Sequence, residues 1–148
     1  MEKDIVLIGE PGVGKRSLLK CIAPYGGFYF YKNIKFNVYT QELTHSADCY
    51  ILVVNARDIY KKANIIRGTI TRYRNIILCI NFIDEIAEDT NISLNQMRHQ
   101  FGVPIVGTNA KRGLGIVKLI KQIFMSTQPF SVPADIPSFY IANTLKEN

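Results

Sequence analysis

The sequence predicts an α/β fold: a mainly parallel β-sheet covered by helices on both faces, with one antiparallel hairpin strand added. Three observations predict it. Short apolar runs at Ile5–Ile8, Tyr50–Val54, Ile76–Ile80 and Val103–Val106 read as strands buried on both faces. Helix-compatible stretches alternate with them, the pattern of parallel strands joined by crossovers. The first run leads directly into a glycine-rich loop, Gly9-Glu10-Pro11-Gly12-Val13-Gly14-Lys15, with a helix start behind it.

Taken in order, Ile5–Ile8 is the first strand and Ser17–Ile22 the first helix, stopped before Pro24. Gly26-Gly27 breaks the chain. Phe28–Tyr31 and Ile34–Tyr39 flank Lys32-Asn33 and read as a β-hairpin, its aromatic residues packing groups rather than base-stacking platforms. Tyr50–Val54 is a second buried strand, and Ile59–Tyr73 is helix-compatible although β-branched and interrupted by Gly68. Ile76–Ile80 is a third buried strand. Ser93 is placed to cap a helix through Phe101, which Gly102 ends. Val103–Val106 is a fourth strand, with Pro104 tolerable near its start or at an edge. Gly115–Phe124 has Ile116, Leu119, Ile120 and Ile123 on one side of a helix. Beyond Met125, with Pro129, Pro133 and Pro137 and little periodicity, a surface-wrapping or linking tail is expected.

Bulk properties bound the function. The chain has 148 residues, 47% hydrophobic and 20% charged, which suits one compact domain and excludes wholesale disorder. A net charge of +6 fits an anionic ligand, a nucleic acid or a negative membrane surface. The basic residues are scattered, however, at Lys61-Lys62, Arg72/Arg74, Lys111-Arg112 and Lys118/Lys121, as on a solvated surface. Neither C2H2 spacing nor an aromatic RNA-binding signature is present, so no nucleic-acid partner is expected. Cys21, Cys49 and Cys79 are far apart in apolar settings and read as buried free thiols in a reducing compartment. His45 and His99 are isolated and make no metal-ligand cluster. Lys3 and Asp4 precede only a short apolar run, no secretory signal opens the chain, and no run is long enough to span a membrane; a cytoplasmic, soluble piece is expected.

The glycine-rich loop carries the chemistry. Glycines let the backbone curl until successive N–H groups point into one cavity suited to phosphate oxygens, and Lys15 adds a point charge near the outer phosphates. The helix behind contributes its free N–H groups and dipole. One position departs from the usual pattern. Ser or Thr ordinarily follows the Lys so that its hydroxyl reaches Mg²⁺; here Arg16 follows, and the hydroxyl comes one residue later at Ser17. A helical step turns a side chain by about 100°. Ser17 is thus a candidate Mg²⁺ ligand out of register, and nucleotide binding survives this change more readily than metal-dependent hydrolysis.

In parallel sheets, ligands sit at the carboxyl ends of the strands. Two further segments fall there: Asn81-Phe82-Ile83-Asp84 after the third buried run, and Thr108-Asn109-Ala110-Lys111 after the fourth. Asn-x-x-Asp suits guanine. The carboxylate accepts from N1–H and the exocyclic amine, a pair adenine does not supply, and the Asn amide ties loops together. An acceptor left unpaired by the wrong base costs about 1–3 kcal/mol or more.

The order of these motifs resembles a Ras-like small GTPase domain, and the details are most similar to the N-terminal G domain of the ferrous-iron transporter B family. Pro11 stands two residues after the first loop glycine, and apolar Phe82 stands where other GTPases carry Lys. The run Phe101–Ile116 is similar to that family's last strand, base-contacting loop and helix entry, with Asn109 where Ser is usual. The resemblance spans roughly residues 3–124. It implies a three-layer P-loop GTPase-like fold, a G-like nucleotide-binding domain over residues 1–125 and a tail over 126–148. It also implies GTP or GDP as ligand, with Gly9 through Lys15, Arg16 and Ser17 around the phosphates. Asn81 and Asp84 would read the base; Asn109, Ala110 and Lys111 would close over it, with the Ala110 N–H offered to guanine O6. A membrane transporter or other protein partner at the inner face of the membrane follows from the same resemblance.

The middle of the chain departs from that pattern. The long loop whose Thr reaches Mg²⁺ and the γ-phosphate is nearly deleted between Cys21 and Gly26. Thr40-Gln41-Glu42-Leu43 stands where Asp-x-x-Gly is usual. Losing one electrostatic contact to a transition state commonly costs about 10²–10³ in rate, so hydrolysis is expected to be slow or lost. Three readings therefore compete. One is a divergent G domain serving ferrous-iron transport; another is a non-catalytic, degenerate G domain acting as a protein-interaction module. The third, an unrelated P-loop kinase or ATPase, lacks an Arg-rich lid or acceptor site.

Overall fold

A computed structural model describes residues 1–86 and 93–129. In chain order its elements are β1 (Glu2–Ile8), α1 (Lys15–Ile22), β2 (Phe28–Tyr31), β3 (Ile34–Tyr39), β4 (Cys49–Asn55), α2 (Ala63–Ile70), β5 (Ile76–Asn81), α3 (Leu94–Phe101), β6 (Ile105–Thr108) and α4 (Ile116–Thr127). The strands form one sheet in the order β2-β3-β1-β4-β5-β6. Every neighbouring pair is parallel except β2–β3.

Alternation along the strands builds two apolar layers. In β4, Ile51 and Val53 face the layer containing Leu18 and Ile22 of α1 and Leu119 and Ile123 of α4. Leu52 and Val54 face the layer containing Ile66 and Ile70 of α2 and Met97 and Phe101 of α3. A sheet so covered needs apolar residues on both sides of its central strands, which is why β4 and β5 read as continuous apolar runs.

The hairpin turns through Lys32 (φ 49°) and Asn33 (φ 66°), left-handed at both positions. That geometry suits the right-handed twist of a two-residue hairpin. Tyr29 stacks on Phe36 with ring centroids 5.0 Å apart, and Tyr31 meets Phe124 edge-on at 5.4 Å. These inward rings act as packing groups, as their alternation suggests.

Several boundaries differ from expectation. The first helix begins at Lys15, inside the glycine-rich motif. The second is shorter than Ile59–Tyr73: Asn55, whose side chain accepts from the Arg57 N–H, caps a single 3₁₀ turn, Ala56–Asp58, residues 59–62 continue as turn, and the regular helix runs only from Ala63 to Ile70. Gly68 lies within it without breaking it. The last strand is displaced from Val103–Val106 to Ile105–Thr108. Gly102 takes a left-handed cap, and Pro104, without an N–H, enters the ladder only through its carbonyl, which accepts from Leu78. Ser93 caps α3 as expected, its hydroxyl accepting from the Gln96 N–H at 3.3 Å. α4 continues to Thr127, two residues into the tail expected over 126–148; the part of that tail from residue 130 lies outside the described residues.

The β3-to-β4 connection is short. Residues 40–48 return the chain to the entry end of the sheet, between two strands that both run parallel to β1. Such crossovers ordinarily take about a dozen residues or more and contain a helix. Here none of the elements in chain order falls between β3 and β4. Beside α2 a groove of about 250 Å³ runs along the sheet, with Ile8, Val13, Leu52, Val54, Ile65 and Ile66 in its lining.

The thiols differ from one another. Cys49 and Cys79 are buried, and burial pushes both pKa values up to about 12. Cys21 is only half-buried, contrary to the expectation of three buried thiols, and donates to the Ala110 carbonyl at 3.0 Å. At pH 8 the native protein is expected to react with a thiol reagent at Cys21 alone, and at all three cysteines once unfolded. Thiol titration with mass mapping checks this; rapid native labelling of Cys49 or Cys79 would contradict it.

Candidate functional site

The glycine-rich loop leaves β1 at Gly9 and enters α1 at Lys15. Close approach fixes two of its glycines, Gly9 and Gly14. A β-carbon on Gly9 would stand 2.5 Å from the Val53 carbonyl oxygen. Gly14, at φ +100°, would drive one into the Asn81 amide nitrogen. Val13 is buried and anchors the loop, while Pro11 and Gly12 are exposed at its tip. Lys15 folds across the mouth, its Nζ donating to the Gly9 carbonyl at 2.6 Å. Arg16 is exposed and Ser17 half-buried on the first turn of α1. Exposed Glu10 accepts from Lys62 Nζ at 2.9 Å, an ion pair that ties the loop to the start of α2.

Asn81, fully buried at the end of β5, joins the two halves of the site. Its Nδ2 donates to the Val13 carbonyl at 2.9 Å. Its Oδ1 accepts from the Thr108 hydroxyl and the Ala110 N–H, both at 3.0 Å. One amide thus ties the glycine-rich loop to the segment after β6. The Ala110 N–H, expected to face a purine oxygen, is engaged here: a buried amide oxygen demands donors, and Ala110 supplies one.

Phe82, left-handed at φ 63°, turns the chain out of β5 into a 3₁₀ turn, Ile83–Glu85, that carries Asp84. A second 3₁₀ turn, Ala110–Arg112, follows β6. The turns face each other. Asn109 Nδ2 donates to Asp84 Oδ1 at 2.7 Å and to Glu85 Oε2 at 3.0 Å, and Arg112 donates to Asp84 Oδ2 at 2.5 Å. The Asn109 hydrogen bond, ahead of the Arg112 charge, holds the Asp84 carboxyl below its ordinary pKa against a smaller opposing effect of desolvation. Lys111 is exposed, with Nζ 5.7 Å from the Phe82 ring centroid.

The expected site residues therefore gather at one end of the sheet, on the loops after β1, β5 and β6. Sequence reasoning missed three partners. Thr108 fills the second lone pair of the Asn81 amide; a hydroxyl ending a buried strand beside a buried Asn is the signal that could have found it. Lys62 and Arg112 are ion-pair partners that no spacing pattern marks.

This architecture, a glycine-rich loop after the first strand of a β2-β3-β1-β4-β5-β6 sheet with further loops gathered at the same end, is that of a P-loop GTPase-type G domain. The family model for ferrous iron transport protein B, in its N-terminal form, matches residues 34–123, more than half of the chain, and the chain belongs to that family. Solved structures agree on the fold. The FeoB G domain of Methanococcus jannaschii is 21% identical with a TM-score of 0.73, covering 86% of this chain and 99% of that one. The cytosolic domain of T. maritima FeoB in its GMPPNP form is 22% identical with a TM-score of 0.69, covering 99% and 72%. A point mutant of S. thermophilus NFeoB bound to GDP·AlF4⁻ is 21% identical with a TM-score of 0.66, covering 86% and 66%. A comparison with curated protein sequences gave no match.

Proposed function

We propose that this domain binds guanine nucleotides and hydrolyses GTP slowly or not at all. The observation that carries the reading is the buried Asn81 amide, which locks the phosphate-type loop to the loop after β6 and sets Asp84 three residues away at the same end of the sheet. Gly9 through Lys15 would hold the phosphates, with Lys15 leaving the Gly9 carbonyl for a phosphate oxygen and Arg16 and Ser17 at the margin. Asp84 would accept from the N1–H and N2 amine of guanine, with Asn109 orienting the carboxylate and Ala110 and Lys111 lining the base. That FeoB relatives have been solved in GMPPNP, GDP and GDP·AlF4⁻ forms supports the same ligand class here.

The residues do not fit a strong Mg²⁺ site. Glu10 is paired with Lys62, and Glu42 accepts from the Tyr73 hydroxyl at 2.8 Å, on the segment entering β5 from the opposite end. Thr40 and Leu43 offer no carboxylate. Among the described residues no group of three or more His, Cys, Asp or Glu is placed to hold an ion. The domain would act by retaining the nucleotide, and family membership supports a place beside a ferrous-iron transporter at the inner face of the membrane. No helix among the described residues is long and apolar enough to cross a membrane.

Calorimetry with GDP, GTP and ATP, with and without Mg²⁺, tests the reading. GDP and GTP should bind comparably and ATP roughly 5- to 150-fold more weakly, the equivalent of about 1–3 kcal/mol. Mg²⁺ should change GDP affinity little, and phosphate release should stay near background. Asp84→Asn should move preference from guanine to xanthine, whose C2 carbonyl accepts where guanine donates. No affinity for GDP, or equal affinity for ATP, would overturn the proposal.

A further inference from the structure

We infer that Arg112 is an internal mimic of the guanine edge: it occupies Asp84 in the nucleotide-free domain and is displaced when the base arrives. The inference rests on the reading of Asp84 as the base acceptor and adds a competitor to that site. The chemistry is direct. Guanine presents to a carboxylate a carbon bearing a ring N–H and an amino group, the same donor arrangement as the end of an arginine side chain. Arg112 Nη1 donates to Asp84 Oδ2 at 2.5 Å, standing in for one of the two donors the base edge would bring, while Asn109 holds Oδ1.

The two groups on Asp84 differ in their freedom to leave. Asn109 is fully buried and its Nδ2 bridges Asp84 Oδ1 and Glu85 Oε2, which fixes the amide orientation and leaves its own Oδ1 without a protein partner. Asn109 is a positioning residue that stays. The Arg112 side chain is 67% exposed, against 22% for Asp84, and swings out without unpacking anything. Its turn, Ala110–Arg112, is anchored separately through the Ala110 N–H on Asn81, so displacement moves the side chain and leaves the backbone in place.

Base binding must therefore break an exposed ion pair, which should change affinity by a factor of roughly 1.4 to 5. Arg112→Gln should tighten GDP by about that factor and leave ADP affinity unchanged. Arg112→Lys, which keeps the charge without the fork, should fall between. Because exposed pairs are screened, the advantage of Arg112→Gln over wild type should shrink as KCl rises from 50 to 500 mM.

Calorimetry of GDP and ADP on the full chain and these variants decides the matter. Equal or weaker GDP binding by Arg112→Gln overturns the inference, since it would make Arg112 neutral or a direct contact. Parallel tightening of ADP also overturns it, because the effect would then lie at the phosphates. Asp84→Asn separates the two levels. If it leaves the preference for guanine intact, the base-reading proposal itself fails. If it abolishes that preference while Arg112→Gln binds GDP no better than wild type, only the mimic fails.

Discussion

Asn81→Ala is expected to destabilise the domain by about 3–5 kcal/mol and to abolish nucleotide binding. The substitution leaves the Val13 carbonyl and the Ala110 N–H without their partner and leaves the Thr108 hydroxyl only the Cys79 sulfur, 3.2 Å away; all three lose a buried hydrogen bond. Each orphaned group costs about 1–3 kcal/mol, and water entering the gap recovers part of the sum. For a domain of this size each kcal/mol shifts the midpoint by about 2–4 °C, so thermal denaturation should show a fall of roughly 6–20 °C. A protein that loses less than about 2 °C would show that the amide is not the joint between the two loops. The loss should be local as well. Hydrogen exchange should accelerate first at residues 9–15 and 108–112, ahead of β4.

Gly14→Ala should be nearly as damaging, for a reason coupled to the first. A side chain at φ +100° costs about 1–3 kcal/mol of backbone strain, and the new β-carbon collides with the Asn81 amide. Forcing extra atoms into a packed site adds about 1–3 kcal/mol. The backbone part is independent of Asn81 and the collision is not. In a double-mutant cycle, Gly14→Ala should therefore cost at least about 1 kcal/mol less in the Asn81→Ala background than in wild type. Strict additivity would show that the glycine is required only for its backbone angle. GDP binding should be lost in every member of the cycle except wild type, because the phosphate loop and its anchor fail together.

The layered fold was legible because its signal is physical and local. Continuous apolar runs at Ile51–Val54 and Ile76–Ile80 mean burial on two faces, and the glycines of the first loop mark where the chain turns sharply. The Ser93 and Gly102 caps of α3 were legible for the same reason. The shortened α2 was not: residues 59–62 continue as turn after the 3₁₀ turn that Asn55 caps by a side-chain bond, which propensity does not weigh. Nor was the two-residue shift of β6, which depends on how Pro104 meets Leu78 across the sheet. At the site, Asn81 and Asp84 stood out by spacing and by their place after a strand. Asn109 was expected near the base, but its bond to Asp84, like that of Arg112, was not legible. Asn109 and Arg112 reach it from a different strand end, and the sequence shows no distance between side chains separated by about 25 positions.

The short link from β3 to β4 has a consequence for how such a domain would report its contents. On the reading proposed here, the clasp closes on the base and the inner phosphates. Residues 40–48 run back to the entry end of the sheet, with Glu42 held by Tyr73. On that reading, a domain built this way would keep no clock. It would fill with whichever guanine nucleotide the surroundings hold in excess and present the same outline in either case. Its partners would then sense whether it is loaded, without sensing how recently.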